Sequence, residues 1–166
     1  IGEIREPAAA GESSQHAENV RKLLLAMAED VRVVLIKLSD RLHNMRTLRH
    51  LSEQRQRRIA RETLDIYAPL ANRLGIWQVK WELEDLALRY LDPDAYHRIA
   101  SLLDGRRIDR ERHIELVKTR LLEVFGETGI TAEITGRPKH IYSIWRKMRR
   151  KNVDFHEIFD VQAVRV

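Results

Sequence analysis

Asp40 lies in the run Val33-Val34-Leu35-Ile36-Lys37-Leu38-Ser39-Asp40-Arg41-Leu42-His43-Asn44-Met45-Arg46-Thr47, an acidic residue inside an otherwise apolar helical pattern. At about 100° per residue, Val31, Leu35, Leu38, Leu42 and Met45 share one helical face, and Asp40, Asn44 and Thr47 share the opposite one. Val33 and Ile36 fall on the Asp40 side as well. The upstream half therefore reads as buried all round, and Asp40 as pointing toward an enclosed region. An ionised carboxylate in such a place needs a cation. One answer is an ion pair with Arg41, Arg46 or an arginine of another helix, or the capping of a neighbouring helix; the other is metal ligation. His43 joins as a second ligand only if the helix is distorted, since three residues along it lies about 60° from Asp40.

A second constellation is Gly136-Arg137-Pro138-Lys139-His140-Ile141-Tyr142-Ser143-Ile144-Trp145-Arg146-Lys147, which leaves a strand and enters a helix. On that helix Lys139, Ser143, Arg146 and Lys147 share a face, with Ile141, Ile144, Trp145 and Met148 opposite. A helix start with free backbone N–H groups, flanked by Arg137 and Lys139 and continued by Ser143 and Lys147, suits a polyphosphate. Arg137 could instead stack on a base. The plainer alternative is a basic amphipathic helix facing solvent. The G-x-x-x-x-G-K-[ST] pattern is absent, so P-loop chemistry is not indicated. Asp160, between Phe159 and Val161, shares a strand side with Gln162. A carboxylate there can hold Mg²⁺ beside a phosphate, pair with a nearby arginine, or sit at an exposed edge.

The elements that must position these residues read as mainly helical, giving way to an α/β segment. A loop at Glu6 to Ser14 leads to a helix at Gln15 to Glu29, and the Asp40 helix follows. A third helix runs from Glu53 to Tyr67, and a short one opens at Pro69 and ends at Gly75. Trp77 to Tyr90 forms another, with Trp77, Trp81, Leu83, Leu86, Leu88 and Tyr90 as core residues. Asp92-Pro93 starts a helix that Gly105 stops, and Asp109 to Glu123 forms the next. Thr131 to Thr135 then favours a strand, Pro138 to Lys151 a helix and Ile158 to Val166 a strand, a β-α-β order. The change of grammar puts a boundary near Gly105 to Asp109, dividing residues 1–105 from 106–166.

The chain has 166 residues, enough for a real hydrophobic core. Its 30 Lys and Arg against 25 Asp and Glu make it modestly basic. Both signs are interspersed, which describes solvated helix faces that could meet nucleotides or nucleic acid. With no cysteine, disulfides and thiolate sites are excluded. No apolar run reaches the roughly 20 residues of a membrane span and no signal peptide opens the chain, so a soluble, cytoplasmic protein without membrane contact is expected. A start at Ile1 and a stop within a strand pattern suggest a piece of something longer.

Four motifs carry a family resemblance. Lys37 to Thr47 as quoted above, Tyr67-Ala68-Pro69-Leu70-Ala71-Asn72-Arg73-Leu74-Gly75, Gly136 to Ile144, and Phe159-Asp160-Val161 resemble, in that order, the long RelA/SpoT homologues. These enzymes make and degrade the alarmone (p)ppGpp, and the likeness runs from about Ala17 to the end. It implies that residues 1–105 are the C-terminal part of a helical HD-type domain that hydrolyses the 3′-pyrophosphate of (p)ppGpp with Mn²⁺. Asp40 then matches a metal-binding aspartate, and Asn44, Arg46 and Thr47 match contacts to (p)ppGpp. It implies further that residues 106–166 are a linking helix and the first part of a nucleotidyltransferase-like synthetase domain. That domain transfers pyrophosphate from ATP to the 3′-hydroxyl of GTP or GDP. Arg137 matches a residue against adenine, Lys139, Ser143 and Lys147 match residues toward the phosphates, and Asp160 matches the catalytic Mg²⁺ aspartate. Ribosome or tRNA contacts would belong to other parts of such a protein.

The chain also departs from the family pattern. The histidines and HD pair that complete the Mn²⁺ site have no counterpart before Asp40, and His16 has no adjacent Asp. Missing too are the guanine-stacking tyrosine and the second acidic metal ligand of the synthetase. Both sites are expected to be incomplete, and the chain alone inactive. The alternatives are a synthetase-only homologue with a degenerate regulatory hydrolase domain, or a basic helical module that docks on RNA or protein without catalysis.

Overall fold

Asp30 starts the first described helix, α1 (Val31–Arg46): its backbone is extended and its Oδ1 accepts the Arg32 N–H at 2.9 Å. The Arg32 guanidinium closes on the same carboxylate, with Nη2 at 2.7 Å from Oδ2, and holds it below the usual carboxylate range. The structure, a computed structural model, describes residues 30–105, 107–158 and 162–166. The loop and helix expected between Glu6 and Glu29 lie outside them.

The stripe of α1 that faces inward is Val34, Leu38 and Met45, all buried, with Arg41 and Leu42 half-buried. This corrects the expectation of a half-helix buried all round. Val31, Val33, Leu35 and Ile36 are 50%, 39%, 42% and 68% exposed, and Asp40 is exposed with them. The buried stripe has rotated from the expected one toward Arg41, whose interactions are described below.

After a 3₁₀ turn (Leu48–His50), α2 (Glu53–Glu62) runs through a π-helical turn (Thr63–Tyr67) into α3 (Ala68–Arg73). The two helices expected here are thus one continuous run. Pro69 explains the widened turn. It has no N–H to give the Asp65 carbonyl, and the neighbouring Ala68 N–H reaches back five residues to the Thr63 carbonyl. Thr63 is fully buried and satisfied locally: its Oγ1 donates to the Ile59 carbonyl at 2.7 Å and lies 3.3 Å from Met45 Sδ. Gly75, at φ +73°, ends the run in the left-handed region that glycine enters freely.

Helix α4 (Trp77–Leu91) buries Leu83, Ala87 and Leu88, while Trp77 is 46% exposed and so is not a core residue. Asp92 caps α5 (Pro93–Asp104) by accepting the Ala95 N–H at 3.1 Å, and Gly105 closes it, as expected from Asp92-Pro93 and Gly105. Helix α6 (Arg107–Glu127) is longer than its sequence pattern and passes through Gly126. Then come β1 (Thr135–Pro138), α7 (Ile141–Lys151) and, after a 3₁₀ turn at Phe155–Glu157, β2 (Gln162–Arg165). The strands pair antiparallel, with Gly136 opposite Val164 and Arg137 opposite Ala163. Because Pro138 is held opposite Gln162, α7 starts three residues later than expected and Lys139 lies in the connection, not on the helix.

The chain forms two compact units that divide between Leu83 and Glu84, inside α4. This is upstream of the boundary suggested near Gly105. Helix α5 belongs to the second unit because its Ile99 and Leu103 share one apolar cluster with Ile144 and Met148 of α7 and with Phe155 and Ile158. Each such side chain, fully buried, contributes about 1.5–3 kcal/mol.

Strand β1 in turn presses on α6. A Cβ built on Gly136 would lie 2.7 Å from Ile114 Cγ2, closer than carbon atoms pack. Gly136→Ala is expected to destabilise the chain by about 1–3 kcal/mol, the usual cost of overpacking. Adding Ile114→Ala should recover part of that loss, read as a coupling energy in a double-mutant cycle of thermal melts. A Gly136→Ala variant as stable as its parent would show that β1 moves freely off α6.

Candidate functional site

In the first unit Asp40, Asn44 and Thr47 lie together on the exposed side of α1. Asn44 Nδ2 donates to Asp40 Oδ2 at 3.3 Å. Thr47, just past the helix end, gives its hydroxyl to the carbonyls of His43 at 3.1 Å and Asn44 at 3.3 Å. Arg46 is turned aside, with its Nε donating to Glu82 Oε1 of α4 at 2.6 Å. The structure therefore brings Asp40 and Asn44 into contact, and engages Thr47 and Arg46 elsewhere. Neither arginine beside Asp40 pairs with it, because Arg41 and Arg46 are taken by Glu62 and Glu82. Water does for this carboxylate what a buried site would have required a cation to do. Among the described residues no three His, Asp or Glu side chains are grouped to hold a metal ion. Asp40 supplies one carboxylate oxygen donor set, which does not make a Mn²⁺ site by itself.

Arg41 is the residue whose role the sequence pattern concealed. Its Nη2 lies 3.0 Å from Glu62 Oε1 and its guanidinium carbon 4.0 Å from the centre of the Tyr67 ring. The side chains of Arg41 and Glu62 are only 15% and 25% exposed. Glu62 and Tyr67 bracket the π-helical turn, so one guanidinium ties α1 to both ends of it. A charged hydrogen bond of this kind contributes about 1.5–3 kcal/mol and the ring contact about 0.5–2 kcal/mol, not additively. Together they set the rotation of α1 about its axis. That rotation decides where Asp40 and Asn44 face. The signal in the sequence was an arginine beside an apolar stripe, at a position where a stripe alone fixes rotation only loosely.

In the second unit Arg137 stands in β1, and Lys139, half-buried, lies in the connection that follows. Ser143 and Lys147 are half-buried one turn apart on α7, while Arg146 is exposed. The opposite side of the helix is the expected apolar one, with Ile144 and Met148 buried and Ile141 and Trp145 packed against the same cluster. Asp160 lies outside the described residues. The start of α7 is not free, as the sequence suggested. The Tyr142 N–H donates to Asp85 Oδ1 at 2.8 Å, and His140 Nδ1 lies 3.6 Å from Asp85 Oδ2. A carboxylate of the chain itself takes one of the N–H groups that the sequence offered to a phosphate. No described helix is long and apolar enough to cross a membrane.

Two sequence profiles match the chain, that of the HD domain over residues 1–77 and that of the region found in RelA/SpoT proteins over residues 136–166. The first match includes α1 and the second includes α7. The chain is similar to RelA/SpoT proteins and their HD domain in these two parts. It is 55% identical over 155 residues to a Synechocystis protein named "Probable guanosine-3′,5′-bis(diphosphate) 3′-pyrophosphohydrolase", covering 93% of this chain and 20% of that one. It is 53% identical over 154 residues to the GTP pyrophosphokinase of Escherichia coli K12, covering 93% and 21%. With the GTP pyrophosphokinase of Myxococcus xanthus it shares 48% over all 166 residues, 22% of that protein. The chain thus spans about a fifth of the length of these relatives.

If Arg41 sets the rotation of α1, Arg41→Ala should lower the stability of the chain by about 2 kcal/mol. Asp40→Ala, at an exposed position one residue away, should change it by less than about 0.5 kcal/mol. Chemical denaturation of the two variants checks this, and equal effects would remove the special role of Arg41.

Proposed function

We propose that this chain is the middle part of a bifunctional (p)ppGpp synthetase/hydrolase of the cytoplasm, with residues 1–105 in the hydrolase domain and 106–166 forming the linking helix and the start of the synthetase domain. The observation that carries this reading is that one chain matches, at 48–55% identity, relatives named for the hydrolase and for the kinase. The grouping of Asp40 with Asn44, and of Ser143 with Lys147, supports it.

In the synthetase half the 3′-oxygen of GTP or GDP forms a bond to the β-phosphorus of ATP. The bond from that phosphorus to the bridging oxygen breaks, AMP leaves, and the proton of the 3′-hydroxyl is released to water. Arg137 stacks on adenine, Lys139 and Lys147 offset the negative charge of the phosphates, and the Ser143 hydroxyl donates to a phosphate oxygen. Asp160 is a Mg²⁺ ligand and the catalytic carboxylate. In the hydrolase half Asp40 is one ligand of Mn²⁺, and Asn44, Arg46 and Thr47 contact (p)ppGpp. Arg46 reaches the nucleotide with the guanidinium N–H groups that Glu82 leaves over, or by releasing Glu82. Ribosome or tRNA contacts are made by other parts of the longer protein.

A synthetase-only enzyme with a degenerate, regulatory hydrolase domain is the second reading, favoured by the names of the E. coli and M. xanthus relatives. In the longer enzyme Asp40→Ala should abolish (p)ppGpp hydrolysis and spare synthesis, and Asp160→Ala should do the reverse. Retained hydrolysis by the first variant removes Asp40 from the metal site, and normal pyrophosphate transfer by the second refutes the Mg²⁺ role. A parent enzyme that synthesises but never hydrolyses favours the second reading.

The 166-residue chain by itself should neither turn over nucleotide nor bind Mn²⁺ at micromolar concentration, read by product chromatography and by calorimetric titration. Turnover in either direction would show a complete site. RNA binding that falls steeply with salt, without any nucleotide binding, would replace both readings by a non-catalytic module.

A further inference from the structure

We propose that Asp85 is a positioning residue for ATP, a long-range cap that fixes the first turn of α7 and with it the phosphate-contacting side chains; this rests on the reading of Arg137 to Lys147 as an ATP site.

The first N–H groups of a helix have no partner within it and must find one outside. Helix α7 gets no cap from its N-cap side chain. Its N-cap residue, His140, is extended at φ −76° and ψ 152° and makes no side-chain capping bond. The Tyr142 N–H is met instead by Asp85 of α4, 57 residues earlier in the chain. The Asp85 side chain is 20% exposed, so solvent competes weakly, and its charge complements the positive end of the helix. His140 Nδ1, at 3.6 Å, lies beyond hydrogen-bonding range of the other oxygen.

The consequence concerns the two ends of the ATP site. Arg137 is held from the strand side by pairing of β1 with β2. Ser143 follows Tyr142 directly, and Lys147 lies one turn further along the same helix. Only Lys139 and His140 lie between the end of β1 at Pro138 and the start of α7 at Ile141. The separation between adenine contact and phosphate contacts therefore depends on where α7 begins, and Asp85 sets that point. The same bond means that the phosphates are gripped by the Lys139, Ser143 and Lys147 side chains and not by the Tyr142 N–H.

The test is steady-state synthesis by the longer enzyme, with KM measured separately for ATP and for GTP. Asp85→Ala should raise KM for ATP about tenfold, within the range set by loss of a cap, with kcat and KM for GTP nearly unchanged. Asp85→Asn keeps an oxygen that accepts the Tyr142 N–H, and should stay within about threefold of the parent. Equal damage from both variants, a rise in both KM values alike, or a lower KM for ATP when the carboxylate is removed would each overturn the proposal; the last would make Asp85 a competitor of phosphate. If Asp85→Ala does not fold, Asp85→Glu, which displaces the carboxylate by one methylene, takes its place: a raised KM for ATP supports the proposal and an unchanged one overturns it. Arg137→Ala separates the two levels. If it leaves KM for ATP unchanged, the ATP reading itself fails; if it raises KM while the Asp85 variants do not, only the role of Asp85 fails.

Discussion

A charged group drawn off the surface has to meet its complement inside the protein, and in this chain that requirement decides how the two helices with candidate site residues are held. Apolar burial supplies most of the favourable free energy, but it is non-directional: a stripe such as Val34, Leu38 and Met45 tolerates a rotation of the helix that leaves the same area buried. The Arg41 guanidinium does not. It must lie within reach of Glu62 and over the face of Tyr67, or remain a half-buried cation without compensation. Asp85 acts in the same way on α7, where the cluster around Ile144 and Met148 positions the helix sideways and one charged hydrogen bond positions its start.

The π-helical turn makes the first arrangement possible. A regular helix through Pro69 would leave the Asp65 carbonyl without its donor and press the proline ring against it. Widening the turn between Thr63 and Tyr67 absorbs the proline without ending the helix. Such turns carry an energetic cost, and here the buried Thr63, bonded to Ile59, stabilises the turn from within. The widened turn also changes the angular relation of the residues on either side of it. Glu62 and Tyr67 come to face the same guanidinium although a regular helix would set residues five apart about 140° away from each other.

What could be read in the sequence was what short-range physics determines. Asp92-Pro93 announced α5 because a cap and a proline in the first turn act within one turn of helix. The two faces of α7 followed from spacing alone, as did the grouping of Asp40, Asn44 and Thr47 on one side of α1. What could not be read depends on partners far along the chain. The exposure of Asp40 is one case: apolar residues at Val33 and Ile36 suggested an enclosed helix, yet burial is decided by what packs against it. The capping of α7 from a residue 57 positions away is another, since no local pattern marks Asp85 as an acceptor. The division inside α4 is a third. Glycine at position 105 stops a helix but does not separate two cores, and the apolar cluster that unites α5 with α7 also draws in Phe155 and Ile158 beyond α7.

On both helices the anchoring residue and the candidate site residue are neighbours in sequence. Asp40 precedes Arg41, and Ser143 follows Tyr142 and precedes Ile144. Adjacent residues on a helix point about 100° apart, so one can be packed inward while the other faces a ligand. This geometry makes each site as well placed as its anchor and no better. A ligand-contacting side chain on an exposed face has few packing contacts of its own, and its orientation is inherited from the buried side of the same turn. It follows that the residues deciding affinity in such a site are not confined to those that touch the ligand. On the proposed function, the guanidinium on Tyr67 and the carboxylate at the start of α7 belong to the binding geometry although neither is one of the residues assigned to contact nucleotide.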